Sequence, residues 1–344
     1  MKKILVIILI LSFDAFSQDY DAIIKKYNNF SGVVLVANQG KIEYQKGFGL
    51  ANRQDNIGVN SQTKFRICSV TKTFTAVLIL QLVEEGKLKL SDTIGQYLPN
   101  YRGEGKDKVS IHHLLTYSSG IENLDQNNEE MYALKLPVDS IVQRYCSGKL
   151  TSQPGEQFSY KNADYIVLGK IIEAITQKSY EQVLQEKILN KIGLNNSGML
   201  ANAKIIKGLA DSYLYDEKNK SFANDDPYWV ENFYAAGAMF STAENLLKFD
   251  QAIFKNQILT KQSVDLMLTA YPKLWSVAYG FWVSENEFAG RKILCADRQG
   301  SISGSNTSWL HLIEPNRTFI IFSNSDATQL NNLRTELVEA SLKR

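Results

Sequence analysis

Ser69 to Gly86 read SVTKTFTAVLILQLVEEG, apolar on nearly every helical face and closed by a glycine. A helix that is hydrophobic all round belongs inside a large core, and a glycine just past its end supplies the left-handed cap. The run therefore predicts a buried central helix over 69–85, with Gly86 ending it. Ser69 and Lys72, three apart in its first turn, share a face, so the amine can approach the hydroxyl.

Working outward, Ser31 to Ala37 (SGVVLVA) and Lys41 to Phe48 (KIEYQKGF) flank Asn38-Gln39-Gly40 and predict a β-hairpin. A short strand is expected over Lys64 to Ile67. From Leu88 to Tyr234 the periodicity is mostly helical: Ser110 caps a helix containing His112 to Tyr117, Pro154-Gly155 marks a turn, and Ala163 to Thr176 form a second helix. Residues 216–226 are polar and read as a surface loop. Thr242 to Phe254 predict a helix whose apolar face is Ala243, Leu246, Leu247, Phe249 and Ile253. Strand patterns then return at Tyr279–Ser284, Lys292–Cys295, Thr307–Leu312 and Thr318–Ser323, before a closing amphipathic helix over Asp326–Leu342. Strands at both ends with helices between predict an α+β fold: one antiparallel sheet built from both chain ends and flanked by helices, plus a helical subdomain. The expected division is an α/β part at about 18–68 and 236–344 and a helical part at about 69–235, with a cleft between them.

At the N-terminus, Lys2 and Lys3 precede an apolar run from Ile4 to Leu11 and then Ala15-Phe16-Ser17, the pattern of a secretory signal peptide over 1–17. The apolar run is well short of the ~20 residues that span a bilayer. Residues 18–344 are then the mature domain, exported to the periplasm or secreted. The net charge of +2 arises from 38 basic and 36 acidic residues without a basic block, which argues against a nucleic-acid partner. Three cysteines, Cys68, Cys146 and Cys295, allow at most one bridge. The three histidines form neither H-E-x-x-H nor a Cys/His cluster at zinc spacing, so no metal and no cofactor are expected.

Ser69-Val70-Thr71-Lys72 matches S-x-x-K. A serine hydroxyl is a weak nucleophile until a neighbouring base activates it, and a helix start turns backbone N–H groups toward an oxyanion. The motif alone does not decide the matter: Ser61-Gln62-Thr63-Lys64 matches it too, in a polar loop, and a serine here could simply cap the helix.

The surrounding segments select Ser69. Phe65 to Lys72 resembles the nucleophile segment of the class C β-lactamase and penicillin-binding family of serine hydrolases, and Gly86-Lys87-Leu88-Lys89-Leu90 resembles the next stretch of that family. Ile111 to Gly120 is similar to its helix-and-loop element. Tyr160-Lys161-Asn162 looks like its Y-x-N, Ala236 to Thr242 like its G-G-x-x-S-T, and Arg298-Gln299-Gly300 falls where it has K-T-G or H-x-G. The resemblance covers nearly all of residues 18–344 and implies a β-lactamase/transpeptidase-like fold. It implies catalytic roles for Ser69, Lys72 and Tyr160, with Tyr160 taking the Ser69 proton and later protonating the leaving group. Asn162 would hold Lys72 and the substrate amide, and Ser301 N–H would pair with Ser69 N–H as oxyanion hole beside Gly300. Arg298, a departure from lysine or histidine, carries a planar fork suited to a substrate carboxylate. Two smaller departures are Tyr117, where the family often has histidine, and Cys68, read as a packing residue. The implied reaction is acyl-enzyme hydrolysis of an amide, β-lactam or ester bond in a small molecule or peptide, peptidoglycan-derived peptides included. A D-Ala-D-Ala-type peptidase or cell-envelope carboxylesterase is the alternative, and a non-catalytic peptidoglycan-binding homologue the rival from another class. Oligomeric state is left open.

Overall fold

The computed structural model describes residues 19–124 and 129–343; the expected signal peptide at 1–17 lies outside them. Six strands make one antiparallel sheet: β1 (Gly32–Asn38), β2 (Lys41–Phe48), β3 (Trp282–Phe288), β4 (Arg291–Ile302), β5 (Ser305–Leu312) and β6 (Arg317–Ser323), in the spatial order β3-β4-β5-β6-β1-β2. The first of these strands thus pairs with the last, Gly32 opposite Ser323 and Asn38 opposite Arg317. The β1–β2 hairpin turns on Gln39 and Gly40, both left-handed at φ 52° and 80°, as a two-residue loop requires.

The period of two along the strands sorts side chains into two cores. Val33, Leu35, Ala37, Ile320 and Phe322 face a cluster shared with the helices α1 (Thr71–Glu84), α2 (Ile111–Leu115), α3 (Asn162–Thr176) and α4 (Ala243–Phe254). Val34, Val36, Phe319 and Ile321 face the opposite way, onto Leu333, Leu337 and Val338 of α5 (Leu330–Leu342) and onto Tyr20 and Ile24. Helix α1 is the centre of the first core, buried from Thr71 to Leu82. Gly86 (φ 67°) ends it as expected, with Gly86 N–H donating to Val83 O and Lys87 N–H to Leu82 O.

Three expectations change. Residues 216–226 are not a plain loop: Tyr213–Asp216 pairs with Ser221–Asn224, because Tyr215 and Phe222 pack across the two strands and the Arg53 guanidinium lies 3.3 Å over the Phe222 ring. The strand expected at Lys292–Cys295 runs on to Ile302, its period hidden by an arginine and a glycine at inward positions. Last, α1 begins at Thr71, and Ser69 lies in a preceding 3₁₀ turn, Cys68–Val70. Among the described residues, no helix is long and apolar enough to cross a membrane.

Candidate active site

Ser69 stands at the corner between the short strand Phe65–Arg66 and α1. Cys68 makes that corner with φ 49°, a left-handed conformation that costs a side-chain-bearing residue about 1–2 kcal/mol. Its fully buried thiol donates to Ser305 O at 3.5 Å, and burial pushes its pKa up to about 12. Cys68 is therefore a packing residue that holds the corner, as its type suggested. Cys146 and Cys295 are likewise buried, and neither forms a disulfide.

Lys72 is fully buried, and its amine donates to Ser69 Oγ at 3.1 Å, Asn162 Oδ1 at 2.8 Å and the Ala236 carbonyl at 2.8 Å. Tyr160 and Asn162 reach the same place because Lys161 between them is extended (φ −153°, ψ 152°), which puts residues two apart on one side. Lys161 points the other way into the protein. Its amine donates to Ile121 O at 2.5 Å and Ser119 Oγ at 3.2 Å, and Ser119 Oγ donates to Asp164 Oδ1 at 2.7 Å. Anchored so, the segment sets Tyr160 OH 2.9 Å from Ser69 Oγ, while Asn162 Nδ2 donates to Tyr132 OH at 3.1 Å.

Arg298 is where the structure departs from the expected role. It is fully buried, with Nε and Nη2 donating to the Ser69 carbonyl at 2.9 and 2.6 Å, Nη1 to Tyr117 OH and Nη2 to Tyr160 OH, both at 3.3 Å. The alternation of β4 turns residue 298 inward, so the fork that could bind a substrate carboxylate closes on the nucleophile's own backbone. Burial alone would disfavour its charge, but the tyrosine oxygens around it more than offset this and keep it charged. Gly300 also faces inward, and a Cβ there would fall 2.7 Å from Ile67 O and 2.9 Å from Ser69 N. Only glycine lets β4 run this close to the nucleophile turn. Ser301 is exposed and borders the cleft.

Charge sets the acidity of the site. Burial alone would raise the Tyr160 phenol, but the Lys72 and Arg298 charges and the hydrogen bonds to Ser69 and Lys72 outweigh it and bring the phenol down to about 7. Tyr117 and Tyr165, also in this corner, move the other way, pushed up chiefly by burial. The three rings pack together, Tyr117 lying 4.7 Å from Tyr160 and 5.2 Å from Tyr165 between centroids. Ser69, Phe158, Tyr160, Trp275, Trp282 and Ser301 border a cleft of about 710 Å³. A separate cavity of about 470 Å³ beside Arg66, Asp225 and Tyr228 does not include Ser69. Among the described residues, no group of three His, Cys, Asp or Glu side chains could hold a metal ion.

Sequence reasoning does not find the Ala236 carbonyl, Tyr132, Trp275 or Trp282. A carbonyl acceptor has no letter of its own, and the tryptophans lie outside every segment that carries the family resemblance, Trp282 standing only in a strand pattern. Tyr117 stands out in the sequence only as a departure, and its φ of 52°, which stops α2 short, brings its hydroxyl to Arg298.

A serine hydroxyl bonded to a lysine and a tyrosine, at the mouth of a buried helix beside an antiparallel sheet, is the arrangement of the penicillin-binding and β-lactamase class of serine hydrolases. The chain belongs to the Beta-lactamase family, whose model matches residues 16–342. Penicillin-binding protein 4* of Bacillus subtilis (strain 168) is 26% identical over 338 residues, 92% of this chain and 71% of that protein. Protein flp of Staphylococcus aureus (strain MW2) is 29% identical over 168 residues, 48% of this chain and 34% of that one, so the chain spans only a part of its curated relatives. The D-amino acid amidase of Ochrobactrum anthropi SV3, solved with L-phenylalanine amide, superposes with a TM-score of 0.79 at 21% identity, covering 96% of this chain and 98% of that one. This last likeness is one of fold.

Proposed function

We propose that the protein is an exported class C-type serine hydrolase that forms an acyl-enzyme on Ser69 and cleaves an ester or amide bond. The observation that carries this reading is that Tyr160 OH and Lys72 Nζ both lie within hydrogen-bond distance of Ser69 Oγ, at 2.9 and 3.1 Å. With its phenol brought down to about 7, Tyr160 is available near neutral pH as the base that takes the Ser69 proton. Ser69 Oγ then attacks the carbonyl. The oxyanion is received by Ser69 N–H and Ser301 N–H, an arrangement supported by the close passage of Gly300 along Ser69. Tyr160 returns the proton to the leaving group, and water releases the acyl group by the same steps. Lys72 and Asn162 hold the hydroxyl and phenol in register, and Arg298 fixes the Ser69 backbone and favours the phenolate.

Export is supported by the signal-peptide pattern at 1–17, with 18–344 as the catalytic domain, divided at about 68 and 236 into α/β and helical parts. The family's substrates are small molecules or peptides, and solved proteins of this fold include a D-amino acid amidase and the hydrolase EstCE1. Ester or amide hydrolysis in the cell envelope is favoured here over dedicated β-lactam destruction, because Arg298 does not present its charge to the cleft. Residues 18–344 treated with a fluorophosphonate gain one adduct by intact mass, and Ser69→Ala abolishes it; an adduct that survives Ser69→Ala refutes the reading.

A further inference from the structure

The 710 Å³ cleft opens on the Tyr160 side of Ser69, bordered by both, whereas Lys72 and Asn162 do not border it. In the proposed reaction Tyr160 hands its proton to the departing atom, so the space on its side receives the leaving group. Among the described residues no lysine, arginine or histidine borders this cleft, but Asp297 and Asp326 do. Asp297 is held by the mostly buried Arg334 at 2.7 Å, and exposed Asp326 accepts the Tyr215 N–H at 2.8 Å. Arg298, the charge nearest the Tyr160 hydroxyl from the sheet, is spent on Ser69 O, Tyr117 and Tyr160. A carboxylate on the leaving group would meet the charge of Asp326 and find no cation on the cleft wall, since Arg334 is engaged by Asp297.

The rest of the wall is aromatic. Trp282 stacks on Tyr117 at 6.1 Å and lies 5.9 Å from Tyr160. Trp275 leaves 77% of its surface in solvent at the cleft edge, and both it and Ser276 are left-handed, at φ 60° and 56°. An indole this exposed buries little surface against the fold, and backbone strain of this kind collects at ligand sites. Resting on the serine-hydrolase reading above, we propose that the substrate's leaving group is an aromatic alcohol or amine without a carboxylate, seated against Trp275, Trp282 and Tyr160. For an aryl ester, the Ser69 Oγ–carbonyl bond forms as the carbonyl–aryl oxygen bond breaks. The Ser69 proton passes through Tyr160 to the aryl oxygen, and one water then frees the acid.

The test compares the phenylacetate esters of 3-hydroxybenzamide and 3-hydroxybenzoic acid, whose leaving groups match in size and differ in charge. The expected result is a kcat/KM at least about tenfold higher for the uncharged ester at low ionic strength, narrowed by Asp326→Asn. Trp275→Ala is expected to raise KM for the uncharged ester several-fold. Equal or faster turnover of the carboxylate ester overturns the charge selectivity while leaving the hydrolase reading intact, and an unchanged KM in Trp275→Ala removes the indole from the pocket. Turnover of neither ester, with no fluorophosphonate adduct, overturns the hydrolase reading and this proposal with it.

Discussion

Ser69 Oγ lies against two groups that could govern its proton, and their surroundings differ. Lys72 is sealed in the interior by Asn162 and the Ala236 carbonyl, whereas Tyr160 reaches the cleft with a phenol brought down to about 7. The deprotonated phenol is the base form, so kcat/KM for ester hydrolysis is expected to rise about tenfold per pH unit below 7 and level off above it. Tyr160→Phe removes base and acid together and should cost about 10²–10⁴ in kcat/KM and flatten that profile, read by initial rates from about pH 5 to 9. Ser69 and Lys72 were legible from their spacing, though Ser61 and Lys64 share it, and Tyr160 and Asn162 were legible only through the resemblance of their segment to a known family. The direction of Arg298 was not. A side-chain type says what it can bind, but the strand's pleat decides which way it faces, and an arginine at an inward position disguises that pleat.

Elements position the site by how closely they pass. Strand β4 runs against the 3₁₀ turn of Ser69 because Gly300 has no side chain, and a valine there would push into Ile67 O and Ser69 N. Gly300→Val is expected to fold with its sheet intact by far-UV circular dichroism yet lose roughly 10² in kcat/KM, the cost of about 1 Å of misplacement at a reacting centre. α1 was readable as an unbroken apolar run closed by Gly86, α4 from an apolar face at helical spacing behind Thr242, and the β1–β2 hairpin from the turn at Asn38-Gln39-Gly40. The Tyr213–Asn224 hairpin escaped because its stability comes from one aromatic pair and an arginine from a distant segment, inside an otherwise polar stretch. The difference between a helix start and a 3₁₀ corner at Ser69 likewise depends on Cys68 φ, which no pattern encodes.

Across the whole molecule, the inner face of the sheet is tied to α4 through one buried carboxylate. Asp250, fully buried, accepts Trp309 Nε1 at 2.8 Å and Thr318 Oγ1 at 2.9 Å and pairs with His311 Nδ1 at 3.0 Å, joining α4 to β5 and β6. Asp250→Ala strands these buried groups and is expected to cost about 3 kcal/mol or more. Thermal unfolding should show a Tm lowered by several degrees, and by less in Asp250→Asn, which keeps an acceptor. That both chain ends build one sheet was readable from strand patterns at each end. The order that sets β1 beside β6 was not, since pairing between distant strands leaves no local mark.

That order has a practical result. The Ser69 carbonyl is gripped by a residue of β4, its hydroxyl by the segment entering α3, and its lysine by a carbonyl just ahead of α4. Each grip comes from a different stretch of chain, and the one from β4 forms only after synthesis has passed residue 298, more than two hundred residues beyond the serine. A covalent serine probe applied to a preparation would therefore count correctly assembled molecules one by one, making the nucleophile a titrant for the yield of refolding or secretion.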